Sequence, residues 1–143
     1  MQPTQPRKKI VIVEDDAALS DIYKTRLELQ GYDCYVAYNG IIALYFIQKD
    51  MPDLVLLDLM IPDIGGAEVL AVMRRSPWGK QIPVYVISNL NEADAPPGLR
   101  DLGITGYSVK ANLSDGDIDN IVNGILQPNA AQDGQSETPL PAA

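Results

Sequence analysis

Four short runs of residues, apolar and rich in Val and Ile with little polar alternation, constrain this chain most. They lie at residues 10–13, 54–57, 84–87 and 106–109. Runs of this kind read as strands covered on both faces of a parallel sheet. Each also ends in a reactive group. Glu14 and Asp15 follow the first, Asp58 the second, Ser88 the third and Lys110 the fourth. In open α/β sheets, side chains at the carboxyl ends of neighbouring parallel strands converge on one crevice, where ligands bind.

The segments between these runs carry a helical period. Leu19, Ile22, Tyr23 and Leu27 predict a helix over 17–30, ended by Gly31. Further helices are expected over 40–49, before Met51-Pro52, and over 66–75, stopped by Ser76-Pro77. A last one over 114–126 carries Ile118, Ile121, Val122 and Ile125. With a further strand at 34–37, the string reads β-α five times over. That alternation implies a parallel sheet with helices on both faces, joined by right-handed crossovers. Residues 8–126 are therefore expected to form one domain. Residues 1–7 read as a flexible start and 127–143 as a disordered tail rich in Pro and Ala.

Composition removes several classes of function. A formal net charge of −8 over 143 residues disfavours direct DNA binding or attachment to an anionic membrane. No apolar run is long enough to span a bilayer or to form a signal-peptide core, so a cytoplasmic location is expected. The absence of histidine removes Ser-His and Cys-His catalysis and the usual zinc sites. The single cysteine, Cys34, reads as a small buried hydrophobe.

The groups at the strand ends suit phosphoryl chemistry. A carboxylate such as Asp58 can attack phosphorus and carry the group as an acyl phosphate. Acceptor and donor are both anionic, so a Mg²⁺ or Mn²⁺ ion is expected, with Glu14, Asp15 and Asp58 as oxygen ligands. Lys110 can pair with the phosphoryl group as a point charge. Ser88 can donate a hydrogen bond to it. Asp16, by contrast, reads as the N-cap of the first helix.

These residues resemble the receiver domain of bacterial two-component response regulators. The resemblance spans roughly residues 8–126 and rests on Glu14-Asp15, on the run from Pro52 through Asp58 to Pro62, and on Gly65-Gly66, Ser88 and Lys110. The intervals from Asp15 to Asp58, to Ser88 and to Lys110 match the family's spacing. It implies a flavodoxin-like (βα)5 fold with five parallel strands in the order 2-1-3-4-5. It further implies that Asp58 accepts the phosphoryl group from a sensor histidine kinase or a phosphotransfer protein. Asp15 would then bind the metal directly and Glu14 mainly through water, with the Met60 backbone carbonyl as a further ligand. Ser88 would be the switch hydroxyl, and Tyr107 the aromatic that moves with it. Such a domain acts on a downstream protein target and turns over no external substrate, although it catalyses its own phosphorylation and dephosphorylation.

The chain departs from the family pattern in four places. Ala111 follows Lys110 where the family usually has proline, so the loop either holds a cis bond or takes a trans path. Pro96 and Pro97 break the expected fourth helix, which predicts a long loop after Ser88 and a short helix over about 96–102. In the second helix Ala43, Leu44 and Ile47 share a face, with Ile41 at its margin. Ile42 and Tyr45 point away, marking a contact for a partner or a second copy of the chain. Met60 and Leu90 are apolar beside the acceptor, which predicts slow hydrolysis of an acyl phosphate. Two other readings remain open. One is a pseudo-receiver that binds without being phosphorylated. The other is an Asp-nucleophile phosphohydrolase, although Met60 stands where such enzymes carry a second aspartate.

Overall fold

The computed structural model describes residues 6–127, so all but the first residue of the tail expected over 127–143, and the first five residues of the chain, lie outside it. Five strands form one sheet: β1 (Lys9–Val13), β2 (Asp33–Ala37), β3 (Leu54–Leu57), β4 (Val84–Ser88) and β5 (Gly106–Val109). All neighbours run parallel, in the order β2-β1-β3-β4-β5. The register pairs Val13 with Ala37 on one side and with Leu57 on the other. Glu14 and Asp58 thereby emerge side by side, and the Asp58 N–H donates to the Val13 carbonyl at 3.0 Å.

Alternate residues divide the sheet between two faces. Val11, Val13, Val55, Leu57, Val84 and Val86 meet α2 (Gly40–Asp50) and α3 (Gly66–Arg75) through Ala43, Ile47, Val69, Leu70 and Met73. On the other face Tyr23 of α1 (Ala17–Leu29) lines a small void with Ile12, Leu56 and Ile87. The central strands are buried on both sides, which is why their sequences do not alternate.

Local signals set the helix ends. The Asp16 carboxylate accepts the Leu19 N–H at 3.1 Å, capping α1 as expected. Asn39 does the same for α2, accepting the Ile42 N–H at 2.8 Å. Gly66 opens α3 directly against the strand end, where a Cβ would collide with the Asp58 carbonyl. Among the described residues, 113–127 belong to a separate compact unit holding α4 (Asp115–Leu126). At its start the Ser114 N–H donates to the Asp117 carboxylate at 2.8 Å, and its Ile118 and Val122 are buried.

One expected element is absent. Four α-helices are present among the described residues, not five, and the short helix expected over 96–102 does not form. The segment between β4 and β5 holds two 3-10 turns instead, Glu92–Asp94 and Arg100–Leu102. Gly98 at φ 84° and Gly103 at φ 81° lie outside the right-handed helical region. They leave room for a single turn between them. The loop after Ser88 is long, as the proline pair predicts.

Candidate functional site

The carboxyl ends of β1, β3 and β5 bring three of the expected groups into contact. The Lys110 ammonium lies 2.7 Å from Asp58 Oδ2 and 2.6 Å from Glu14 Oε1. The remaining carboxylate oxygens are also occupied. Asp58 Oδ1 accepts the Met60 N–H at 3.0 Å, and Glu14 Oε2 accepts the Asp16 N–H at 3.0 Å. Asp58 and Glu14 are buried, while Asp15 is exposed at the rim. Carboxylate oxygens of Glu14, Asp15 and Asp58 all lie within 4.8 Å of one another. Three hard oxygen donors at that spacing fit a Mg²⁺ or Mn²⁺ ion.

Burial decides the electrostatics. It pushes the Glu14 carboxyl above the usual range, against the pull of the Lys110 ammonium and the Asp16 N–H. For Lys110, burial works to lower the pKa, but hydrogen bonds to Asp58 and Glu14 outweigh it and the net direction is up. The ammonium is thus held charged between two anions.

Ser88 and Tyr107 flank this group from β4 and β5. Ser88 is wholly buried, and its Oγ accepts the Leu90 N–H at 3.3 Å. The Tyr107 hydroxyl donates to the carbonyl of the same Leu90 at 2.7 Å, and desolvation raises its pKa. One residue therefore links the candidate switch hydroxyl to the candidate switch aromatic.

The Lys110–Ala111 bond is trans, since no cis bond occurs among the described residues. Lys110 reaches Asp58 regardless, by way of a 3-10 turn over Lys110–Asn112. Met60 presents its side chain to solvent, 59% exposed, and Leu90 is half-buried. Ile42 and Tyr45 lie on the exposed side of α2 with Ile41, which is 54% exposed rather than marginal. The Lys49 ammonium sits 5.6 Å from the Tyr45 ring centroid.

Two contacts escaped the sequence reading. Glu14 was expected to act through water on a metal, and its direct pairing with Lys110 has no signature in the spacing. The other is Arg74, whose guanidinium donates to the Leu102 and Gly103 carbonyls before β5 and to the Gly79 carbonyl in the loop before β4. An arginine in the last turn of a helix carries no sign of such a role.

The sequence matches the family described as response regulator receiver domain over residues 10–123. The chain belongs to that family. Solved structures agree. The phosphorylated form of the cyanobacterial phytochrome response regulator RcpA is 30% identical, with a TM-score of 0.75 over 85% of this chain and 95% of that one. The Mn²⁺-bound form of response regulator Rcp1 is 31% identical, with a TM-score of 0.68 over 82% of this receiver and 91% of that chain. The receiver domain of the Francisella response regulator 1452 is 25% identical, with a TM-score of 0.76 over 86% and 99% of the two chains. Among the described residues no helix is long and apolar enough to cross a membrane.

Proposed function

We propose that this receiver accepts a phosphoryl group on Asp58 from a phosphohistidine and signals the change to a partner protein by contact. The observation that carries the reading is the Lys110 ammonium fixed between Asp58 and Glu14 at the mouth of the sheet. In the transfer, an Asp58 carboxylate oxygen attacks phosphorus while the phosphorus–nitrogen bond to the donor imidazole breaks. The electron pair leaves with that nitrogen, which takes up a proton from solvent. Both Asp58 oxygens are already oriented, by Met60 N–H and by Lys110, so little rearrangement precedes attack. Lys110 then pairs with the phosphoryl oxygens. Glu14, Asp15 and Asp58, with the Met60 backbone carbonyl, would hold a divalent ion, which when bound offsets the negative charge of donor and acceptor. The phosphorylated state of RcpA and the Mn²⁺ of Rcp1 support the same assignment by similarity.

The protein is proposed to act in signalling rather than as a catalyst on external substrates. Ser88 turning toward the phosphoryl group would withdraw from the Leu90 N–H, and two packings of similar energy would become one. Incubation with acetyl phosphate and Mg²⁺, read by intact mass, tests the reading. One added phosphoryl group, absent from Asp58→Ala, is the expected result. Continuous release of phosphate would mark a phosphohydrolase, and no addition would mark a pseudo-receiver.

A further inference from the structure

Between β4 and β5 the chain runs through residues 89–105 without an α-helix, and it is fastened unequally at its two ends. At the far end Arg74 of α3 donates from Nε to the Leu102 carbonyl at 2.7 Å, and from Nη2 to the Gly103 carbonyl at 2.8 Å. Its Nη1 donates to the Gly79 carbonyl, also at 2.8 Å. One planar cation thus closes three carbonyls from two loops, and charge-assisted bonds of this kind are about twice as strong as neutral ones. At the near end two neutral bonds do the holding, the Tyr107 hydroxyl to the Leu90 carbonyl and the Leu90 N–H to Ser88 Oγ at 3.3 Å. The middle is braced within itself. Arg100 pairs with both oxygens of Glu92. The two 3-10 turns close the amides of Asp94, Ala95, Leu102 and Gly103 on carbonyls of the same segment.

We propose that Arg74 latches the far end of this crossover, making it a strap that hinges beside α3 and releases at Leu90. The Glu92–Arg100 brace ties the strap's two turns to each other. Gly103, at φ 81° and adjoining the latch, allows the turn at which it hinges. Leu90 is the point of release because Ser88 holds its N–H and Tyr107 its carbonyl. A change at Ser88 is therefore felt at the strap's free end. Its exposed residues Ala93, Pro96 and Pro97 move with it. That link to Ser88 rests on the proposed role of Asp58, whereas the latch itself does not.

Hydrogen exchange of the full chain, without phosphodonor or metal, reads both ends through the amides of Asp94 and Ala95 and of Leu102 and Gly103. Tyr107→Phe should speed exchange at the first pair by at least about tenfold and leave the second pair protected. Arg74→Met should speed exchange at both pairs, with amides of β1 and β3 unchanged. Arg74→Lys keeps the charge but offers no planar fork, so it should behave like Arg74→Met. The double variant should show less than the sum of the single effects at Asp94 and Ala95. The latch is refuted if Arg74→Met acts only on Leu102 and Gly103, or if Arg74→Lys restores full protection. Equal loosening of both ends by Tyr107→Phe refutes the hinge. Failure of the protein to take up phosphate from acetyl phosphate would sink the role of Asp58 and leave these measurements standing.

Discussion

The mouth of the sheet and the crossover beside it are built on opposite terms. At the mouth, Glu14 and Asp58 hang from the central strands β1 and β3, whose residues are almost wholly buried, Lys110 reaches them from the edge strand β5, and each polar atom has a named partner. In the crossover only Leu99 is buried, with Ala95, Leu102 and Ile104 packed partly against the same core, and the other fastenings are hydrogen bonds and an exposed ion pair. Chemistry that depends on an oriented carboxylate needs the first kind of support. A segment that reports the chemistry needs the second, because parts that move come from the less stable regions of a fold.

The largest expected effect falls at the mouth. Lys110→Met leaves Glu14 and Asp58 buried without their cation, and loss of one partner from a buried pair costs about 3–5 kcal/mol. The cost should depend on pH with a definite sign. Burial already raises the Glu14 carboxyl above its unfolded value, and without the ammonium nothing pulls it back down. Stability is then kept below the unfolded carboxyl pKa and lost as pH rises through the folded value of Glu14. Urea unfolding at pH 5 and pH 8 should show the larger deficit at pH 8. An equal deficit at both would mean that Lys110 acts through packing alone.

A pair of cavity variants sharpens the contrast. Leu57→Ala, in a strand with no exposed residue, should cost about 4–5 kcal/mol. Leu99→Ala should cost about 2 kcal/mol, since the largely exposed segment around it can settle into the gap. Similar costs from urea midpoints would show that the crossover is as firmly built as the sheet.

The same contrast explains what could be read from the sequence. The strands and the four α-helices, α1 to α4, were legible because burial on both faces leaves unmixed apolar runs and helices keep a 3.6-residue period, whereas the strand order came from the family resemblance. The site was legible because its groups stand at strand ends, where topology alone brings them together. Loss of the helix after β4 was legible from Pro96-Pro97. Its replacement was not, because the positive φ of Gly98 and Gly103 belongs to a path rather than to a composition. The Lys110–Glu14 pair and the Arg74 fork depend on side-chain reach across elements far apart in sequence, for which spacing carries no signal.

Smaller effects probe the border between the two regions. Met60 and Leu90 follow Asp58 and Ser88 by two residues each and carry apolar side chains there, and water attack on an acyl phosphate should be slow. Met60 is largely exposed, so Met60→Asn, which can hydrogen-bond an incoming water, should shorten the phosphorylated lifetime by only about three- to tenfold, on the order of 1 kcal/mol of barrier. Intact-mass decay in Mg²⁺ buffer measures it. A wild-type lifetime of seconds would remove the argument for apolar cover.

The smallest effect belongs to the brace. Arg100 lowers the Glu92 carboxyl pKa through their hydrogen bonds, so its contribution exists above the unfolded carboxyl value and fades as pH falls through the folded one. Both side chains are exposed, and salt at about 0.15 M screens such pairs. Arg100→Gln should therefore leave the urea midpoint unchanged at any pH. It should nonetheless speed exchange at Ala95, whose N–H closes on the Glu92 carbonyl at 3.1 Å, because local stiffness of the crossover does not require global stability. A shifted midpoint with Ala95 undisturbed would reverse the comparison, making the crossover part of the supporting frame and not a mobile piece attached to it.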